Sequence, residues 1–363
     1  MELNFGKRGG STAGAIGCLC FSLALATTEL GCGSDGGSPG GSGGSGGGNS
    51  GNGGSISMPS CAGAFAKVQT PYSANSGFDD LSVFAADEQG LVFSALPDSN
   101  LGENASDLPN LLMAADLAGN LSTLRESKSG FFSNLVFDGD DLIFTEGFFG
   151  RSIVRLPRKG GTETVLAEDV REGAFADDRS LYYFALAESG GTALFSLPRA
   201  GGAATLMVNR GSIGLRGFAF EGDTLYWGEE PTVLDDHPVS IYRMQVNATQ
   251  PTLIAEIPSD TAGGLNVSGG VVYSTLISDS FDIETYRVEA GKAPTLMGET
   301  GLPLIVTDGK AYYGSSSGLT RNTLQFDAPT TVDGTAGKSI YAIGTGPSDL
   351  WYATLGCLYR TAK

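Results

Sequence analysis

Three features of this sequence predict an all-β fold, a seven-bladed β-propeller of four-stranded antiparallel blades. The first is a β-branched or aromatic triplet that recurs along the chain: Leu91-Val92-Phe93, Leu142-Ile143-Phe144, Leu181-Tyr182-Tyr183, Leu225-Tyr226-Trp227, Val271-Val272-Tyr273, Ala311-Tyr312-Tyr313 and Leu350-Trp351-Tyr352. The interval matches the roughly 40–50 residues of one propeller blade. Such side chains favour pleated, half-buried positions. The second feature is a turn signal ahead of most triplets, as in Asp138-Gly139, Asp177-Asp178, Glu221-Gly222-Asp223, Gly269-Gly270 and Asp308-Gly309. Asp-Gly supplies the positive φ angles of a tight hairpin. The third is the absence of a helical period anywhere in the repeat.

Each unit has four strand segments. One precedes the turn, such as Asn134 to Phe137 or Gly217 to Phe220, and the triplet is the second. The third carries an arginine at a fixed place: Ile153-Val154-Arg155, Ile241-Tyr242-Arg243, Thr285-Tyr286-Arg287, Leu319-Thr320-Arg321 and Leu358-Tyr359-Arg360. Two copies continue almost identically, as Leu156-Pro157-Arg158-Lys159-Gly160-Gly161 and Leu197-Pro198-Arg199-Ala200-Gly201-Gly202. A short Thr-led segment is the fourth, as in Thr123-Leu124, Thr164-Val165-Leu166, Thr205-Leu206-Met207, Thr252-Leu253-Ile254 and Thr295-Leu296-Met297. Four antiparallel strands per repeat, seven times over, define a propeller.

Residues 61–363 resemble the YWTD-type and TolB-type propellers. Leu225-Tyr226-Trp227-Gly228 followed by Ile241-Tyr242-Arg243 is the nearest copy, although the Asp that ends the YWTD tetrad is absent from every unit.

The chain has 363 residues and a formal net charge of −18. A strongly acidic chain repels phosphate backbones, so nucleic acid is not an expected partner. Residues 1–31 read as an export signal. Lys7 and Arg8 form a basic head, and Ala13 to Thr28 is uncharged, mostly apolar and short for a membrane span. Leu30-Gly31-Cys32 follows and resembles the lipobox of bacterial lipoproteins, although Glu29 stands where that family usually has an apolar residue. The resemblance implies that Cys32 is diacylated and becomes the new N-terminus, leaving the protein anchored in a lipid bilayer. Gly33, rather than an Asp, after that cysteine points to the outer membrane. The rival reading is cleavage after Ala24-Leu25-Ala26, which gives a secreted or periplasmic protein.

Residues 32–60 are Gly/Ser-rich, cannot support a core, and are expected to form a disordered tether. At ~5–6 Å × √n its root-mean-square span is roughly 30 Å.

The last unit stops at Lys363 with three strands, so the fourth is expected from the N-terminal side of the domain. A ring left open would expose strand edges. Cys18 and Cys20 leave with the signal and Cys32 is acylated, which leaves Cys61 and Cys357 to form a disulfide in an oxidising compartment. Two segments compete for the closing strand. Ser55 to Cys61 suits the disulfide register, whereas Ala64 to Val68 is the more apolar but sets Cys61 too far away.

Function is less legible. The long connections, Pro97 to Asn110, Gly228 to Ser240 and Ile277 to Asp282, belong to one face of a propeller, where binding usually resides. The densest is Glu229 to Pro238, which includes Asp235, Asp236 and His237. Arg171, Arg210 and Arg216, with Arg125 and Lys128, are candidates for positive charge near the channel. Asp235, Asp236, His237, Arg171, Arg210 and Arg216 are the candidate ligand-binding set. The strand arginines and the turn acids read as structural. No nucleophile elbow, P-loop, dinucleotide fingerprint or zinc spacing is present, so no catalytic residue, metal or cofactor is assigned. The expectation is a monomeric, non-catalytic scaffold for an envelope protein, peptide or glycan. The alternative is a lyase or hydrolase using carboxylates and arginines at the channel mouth.

Overall fold

The computed structural model describes residues 61–68, 80–96, 109–128, 130–147, 151–177, 179–188, 190–231, 238–257, 262–277, 283–301, 303–315, 317–354 and 356–363. Cys32 and the export and tether segments lie outside these residues. Every regular element among the described residues is a strand. Strand β1 (Ala66–Lys67) comes first. The first blade is β2 (Asp80–Asp87), β3 (Gly90–Leu96), β4 (Asn110–Asp116) and β5 (Leu121–Ser127). The second is β6 (Phe131–Asp138), β7 (Asp141–Gly147), β8 (Arg151–Pro157) and β9 (Thr164–Ala176). β9 continues without a break into the third blade, with β10 (Ser180–Leu186), β11 (Thr192–Pro198) and β12 (Thr205–Gly211). The fourth is β13 (Ile213–Glu221), β14 (Thr224–Pro231), β15 (Val239–Gln245) and β16 (Thr252–Ile257). The fifth is β17 (Ala262–Ser268), β18 (Val271–Ile277), β19 (Ile283–Val288) and β20 (Thr295–Glu299). The sixth is β21 (Leu304–Thr307), β22 (Lys310–Ser315), β23 (Gly318–Thr323) and β24 (Thr330–Thr331). β25 (Ala342–Thr345), β26 (Asp349–Thr354) and β27 (Cys357–Ala362) end the chain, and β1 takes the fourth place beside β27.

Within each blade neighbouring strands pair antiparallel in chain order. The long β9 joins two blades into one seven-stranded sheet. Its Thr164–Val170 part pairs with β8, and Val170–Ala176 pairs with β10. Counted on both sides of β9, the described strands form seven four-stranded sets.

The core lies between blades. Side chains on a strand alternate faces, so the second strand of each blade presents one residue to the preceding neighbour and the next to the following one. Leu142 and Phe144 pack with Val92 of the first blade, while Ile143 packs with Leu181 and Tyr183 of the third. Leu225 and Trp227 pack with Tyr182 and Phe184 in the same way. Trp351 and Ala353 of the last blade share a cluster with Leu91, Phe93 and Met113 of the first. That contact closes the strands into a ring.

The triplet of the fifth blade is displaced by one residue from the sequence reading. Ser268 pairs with Val271 as Glu221 pairs with Thr224. Val272-Tyr273-Ser274 is therefore the counterpart of Leu225-Tyr226-Trp227, and a buried serine stands where Trp227 stands in blade 4. Across that seam Gly217, at φ 76°, lies so near the next inner strand that a Cβ would come within 2.9 Å of the Leu265 nitrogen.

The closing strand is Ala66–Lys67, within the more apolar of the two candidate segments. Ala66 pairs with Leu358 and Lys67 with Cys357. Phe65 N and Val68 N donate to the Leu358 and Gly356 carbonyls, extending the ladder at both ends. Cys61 is not too far away, as the register argument held. A turn with Ala64 N donating to Cys61 O, and Gly63 at φ 72°, folds it back to Cys357. The disulfide joins residues 296 apart in sequence, with a Cα–Cα distance of 5.7 Å, inside the usual range.

The turn acids do more than shape turns. Asp87 of blade 1 accepts both guanidinium nitrogens of Arg158 from blade 2, and Asp138 of blade 2 pairs with Arg199 of blade 3. These arginines are the ones in the two Leu-Pro-Arg copies. Glu221 of blade 4 accepts the N–H groups of Gly269 and Gly270 in blade 5, each at 2.7 Å, and Asp308 of blade 6 pairs with Lys363. Each acid thus reaches from its own hairpin to the following blade. Arg155 and Arg360 form ion pairs within their own blades, with Asp138 and Asp349, and Arg155 also donates to the Arg199 carbonyl of blade 3.

A closed loop of this length predicts a large effect of reduction. Cys61→Ala with Cys357→Ala is expected to lower unfolding free energy by about 2–5 kcal/mol in denaturant titration. An unchanged midpoint contradicts the clasp.

Candidate functional site

The connections between second and third strands, and between fourth and next first strands, share one face. Asp235, Asp236 and His237 belong to such a connection and lie outside the described residues. Arg171 sits on β9 next to Val170, the residue that pairs with Arg151, and its side chain is exposed. Arg216 falls in the bulge of β13 between Leu215 and Phe218. Its side chain is also outside the described set. Arg210 is on β12, the outermost strand of blade 3, separated from β9 by β10 and β11. The fold therefore holds Arg171 and Arg210 at opposite edges of one blade.

Arg210 has partners across the seam to blade 4. Its Nε and Nη2 donate to Glu229 Oε1 at 2.6 Å and Oε2 at 2.8 Å. Trp227 Nε1 donates to Glu229 Oε1 at 2.5 Å. The guanidinium carbon lies 4.5 Å from the centre of the Tyr242 ring, which stacks on Trp227 at 5.9 Å. Glu229 is buried, with 7% of its side chain exposed. The carboxylate's hydrogen bonds, ahead of an opposing burial effect, hold the Arg210 pKa above its ordinary value. A bidentate pair of this kind is a strong, charge-assisted contact.

Sequence reading had placed Glu229 at the head of the acidic connection. It belongs to β14, and the signal that could have found it is the two-residue period. Leu225, Trp227 and Glu229 share one face of the strand, the face that meets blade 3. Glu146 takes the same place relative to Leu142 and Phe144 in blade 2. It accepts from Arg125 Nε, on the outer strand of blade 1, at 2.7 Å. Arg125 also pairs with Glu163. Two of the upper-face cations thus tie an outer strand to the second strand of the next blade.

On the opposite face the Asp87, Asp308 and Asp349 carboxyls titrate low. Burial pulls the Asp87 carboxyl up, but hydrogen bonds from Arg158, Gln89 N and Gly90 N outweigh it. Hydrogen bonding from Arg360 holds Asp349 below the ordinary carboxylate range, and Lys363 does so for Asp308. Depressed carboxylate pKa values contribute stability above the unfolded-state value, about pH 4, which is lost as pH falls through the folded values.

No protein-family model matches the chain, and no curated protein matches it. Solved structures do. A puromycin-hydrolyzing peptidase of Mycobacterium tuberculosis is similar with a TM-score of 0.61 and 11% identity, over 82% of this chain and 54% of that one. The β-propeller domain of the trilobed protease from Pyrococcus furiosus, described as having an open velcro topology, gives 0.52 at 13% identity, over 76% and 91%. The computationally designed protein Ika8 gives 0.50 at 11% identity, over 83% and 99%. The chain spans about half the length of the whole peptidases it matches. These likenesses establish the fold, an all-β propeller.

Removing one member of the buried pair should reveal its role. Arg210→Ala is expected to destabilise the domain by about 3–5 kcal/mol, because Glu229 is left charged and buried. Arg210→Met combined with Glu229→Gln should recover most of that loss in denaturant titration. A single variant with wild-type stability contradicts a structural pair.

Proposed function

We propose that this protein is an extracytoplasmic lipoprotein, anchored by acylated Cys32, whose seven-bladed propeller is a non-catalytic scaffold. Its ligand class is an envelope protein, a peptide or a glycan, bound on the face of the long connections. The observation that carries the export reading is the Cys61–Cys357 bond. Disulfides of this kind persist in oxidising compartments, which agrees with a lipobox-like Leu30-Gly31-Cys32 ahead of a Gly/Ser tether. A tether of roughly 30 Å lets the domain stand off a bilayer surface, and the outer membrane is the proposed surface. The propeller alone does not specify a ligand, because one fold hosts many functions.

The binding reading draws support from the upper-face ion pairs. An enzyme at the channel mouth would draw on carboxylates and arginines there, whereas Arg210 and Arg125 lie on outermost strands and are paired with Glu229 and Glu146 respectively. Asp235, Asp236, His237, Arg171 and Arg216 stay in the proposed binding set.

Metabolic labelling with a fatty acid tests the anchor. Label should be present in the full chain and absent after Cys32→Ala, and retained label contradicts lipidation at that residue. Affinity capture by the oxidised full-length chain tests the scaffold. Capture of an envelope protein or glycan that falls several-fold after Arg171→Ala supports binding at the long-connection face. Turnover of a captured ligand overturns the non-catalytic reading.

A further inference from the structure

The seams of the ring are unequal, and the one between blades 5 and 6 is built from different chemistry. Apolar clusters join blades 1 and 2, 2 and 3, 3 and 4, 4 and 5, 6 and 7, and 7 and 1. Among the described residues none joins 5 and 6. The inner-strand residue opposite the middle of the triplet is Ala85, Val136, Ala219, Ile305 or Gly344 in other blades. In blade 5 it is Asn266, opposite Tyr273.

The Asn266 amide acts as a rung between β17 and β21. Its Nδ2 donates to Leu304 O at 3.1 Å, and its Oδ1 accepts from Val306 N at 3.3 Å. The Tyr273 hydroxyl reaches the Leu324 carbonyl at a long 3.4 Å. Thr275, on the same face of β18 as Tyr273, is buried with no partner for its hydroxyl. The large rings here are Tyr273, 1% exposed, and the half-buried Phe326, whose ring lies 6.2 Å from Tyr273 and 6.2 Å from Tyr313. Phe326 is held at φ 58°, in the left-handed region that is unfavourable for a non-glycine residue.

Parting this seam differs from parting any other. Water can replace the hydrogen bonds of an amide and two backbone groups, so the net loss per bond is small. Release of Phe326 from the left-handed region offsets part of its lost ring contact. Elsewhere parting exposes whole clusters of aliphatic and aromatic surface, whereas here the large rings uncovered are Tyr273 and Phe326. The junction of chain ends in blade 7 has apolar clusters on both sides and a disulfide besides. We propose that the ring opens between blades 5 and 6, with Phe326 as the latch, while the terminal closure stays shut.

Hydrogen–deuterium exchange on the oxidised full-length chain tests this under native conditions. Amides of β21 should exchange about tenfold or more faster than those of β25, the comparably short inner strand of blade 7. Phe326→Ala should raise exchange in β21 about tenfold further and leave β6 and β13 unchanged. Phe326→Asn removes the ring but suits the left-handed backbone, so it should match Phe326→Ala and separates the wedge from misfolding. Equal protection of β21 and β25, or β25 exchanging first, overturns the joint. Unchanged exchange in both Phe326 variants overturns the latch.

Discussion

The structure depends on the alternation of side chains along the second strand of each blade. A flat four-stranded sheet has two faces and no interior of its own. Successive residues such as Phe144 and Ile143 serve opposite neighbours. Except at the seam between blades 5 and 6, each blade is therefore half of two cores, and each set of strands needs the next to bury its surface. A ring satisfies that requirement at every blade only if the last meets the first, which Trp351 does among Leu91 and Phe93. Phe65, from the segment that precedes β1, packs edge-on against Trp351 at 4.9 Å and couples the closing strand to that core.

Polar contacts reinforce the seams on both faces. The hairpin acids Asp87, Asp138, Glu221 and Asp308 each contact the following blade, and Glu146 and Glu229 receive an arginine from the preceding one. Arg158 also lies over the Phe137 ring, 4.3 Å from its centre, so one residue bridges an ion pair and an aromatic surface. This gives the repeated Leu-Pro-Arg segment a purpose, since its arginine is placed to reach back across a seam. Because the Asp87, Asp308 and Asp349 carboxyls are held low, the ring's electrostatic support persists at neutral pH and fails in acid.

Much of this was legible in the sequence because the repeat dictates it. Triplets, hairpin acids and the Cys61–Cys357 pairing are local patterns or follow from closure. What escaped depended on register. The fifth triplet slid by one because Val271-Val272-Tyr273 satisfies the pattern as well as Val272-Tyr273-Ser274, and only pairing with Ser268 decides. Strand register alone sets Cys61 too far from Cys357, whereas the turn at Gly63 returns it. Glu229 stands at the head of an acidic run that looks like loop, and only its alternation with Trp227 assigns it to the strand. Arg171 and Arg210 were grouped by charge alone, and strand order separates them. Ligand identity was not legible, since binding loops carry no periodic constraint.

The two tryptophans sit in different seams, Trp227 between blades 3 and 4 and Trp351 between blades 7 and 1. Equilibrium unfolding of Trp227→Phe and Trp351→Phe chains, followed by fluorescence and by strand circular dichroism, therefore reads the ring at two places. A closed ring held by mutual burial predicts that each remaining tryptophan shares one midpoint with the circular dichroism of its own variant. Trp351 fluorescence lost at a clearly lower denaturant concentration than the strand signal would contradict a ring closed between its last and first blades.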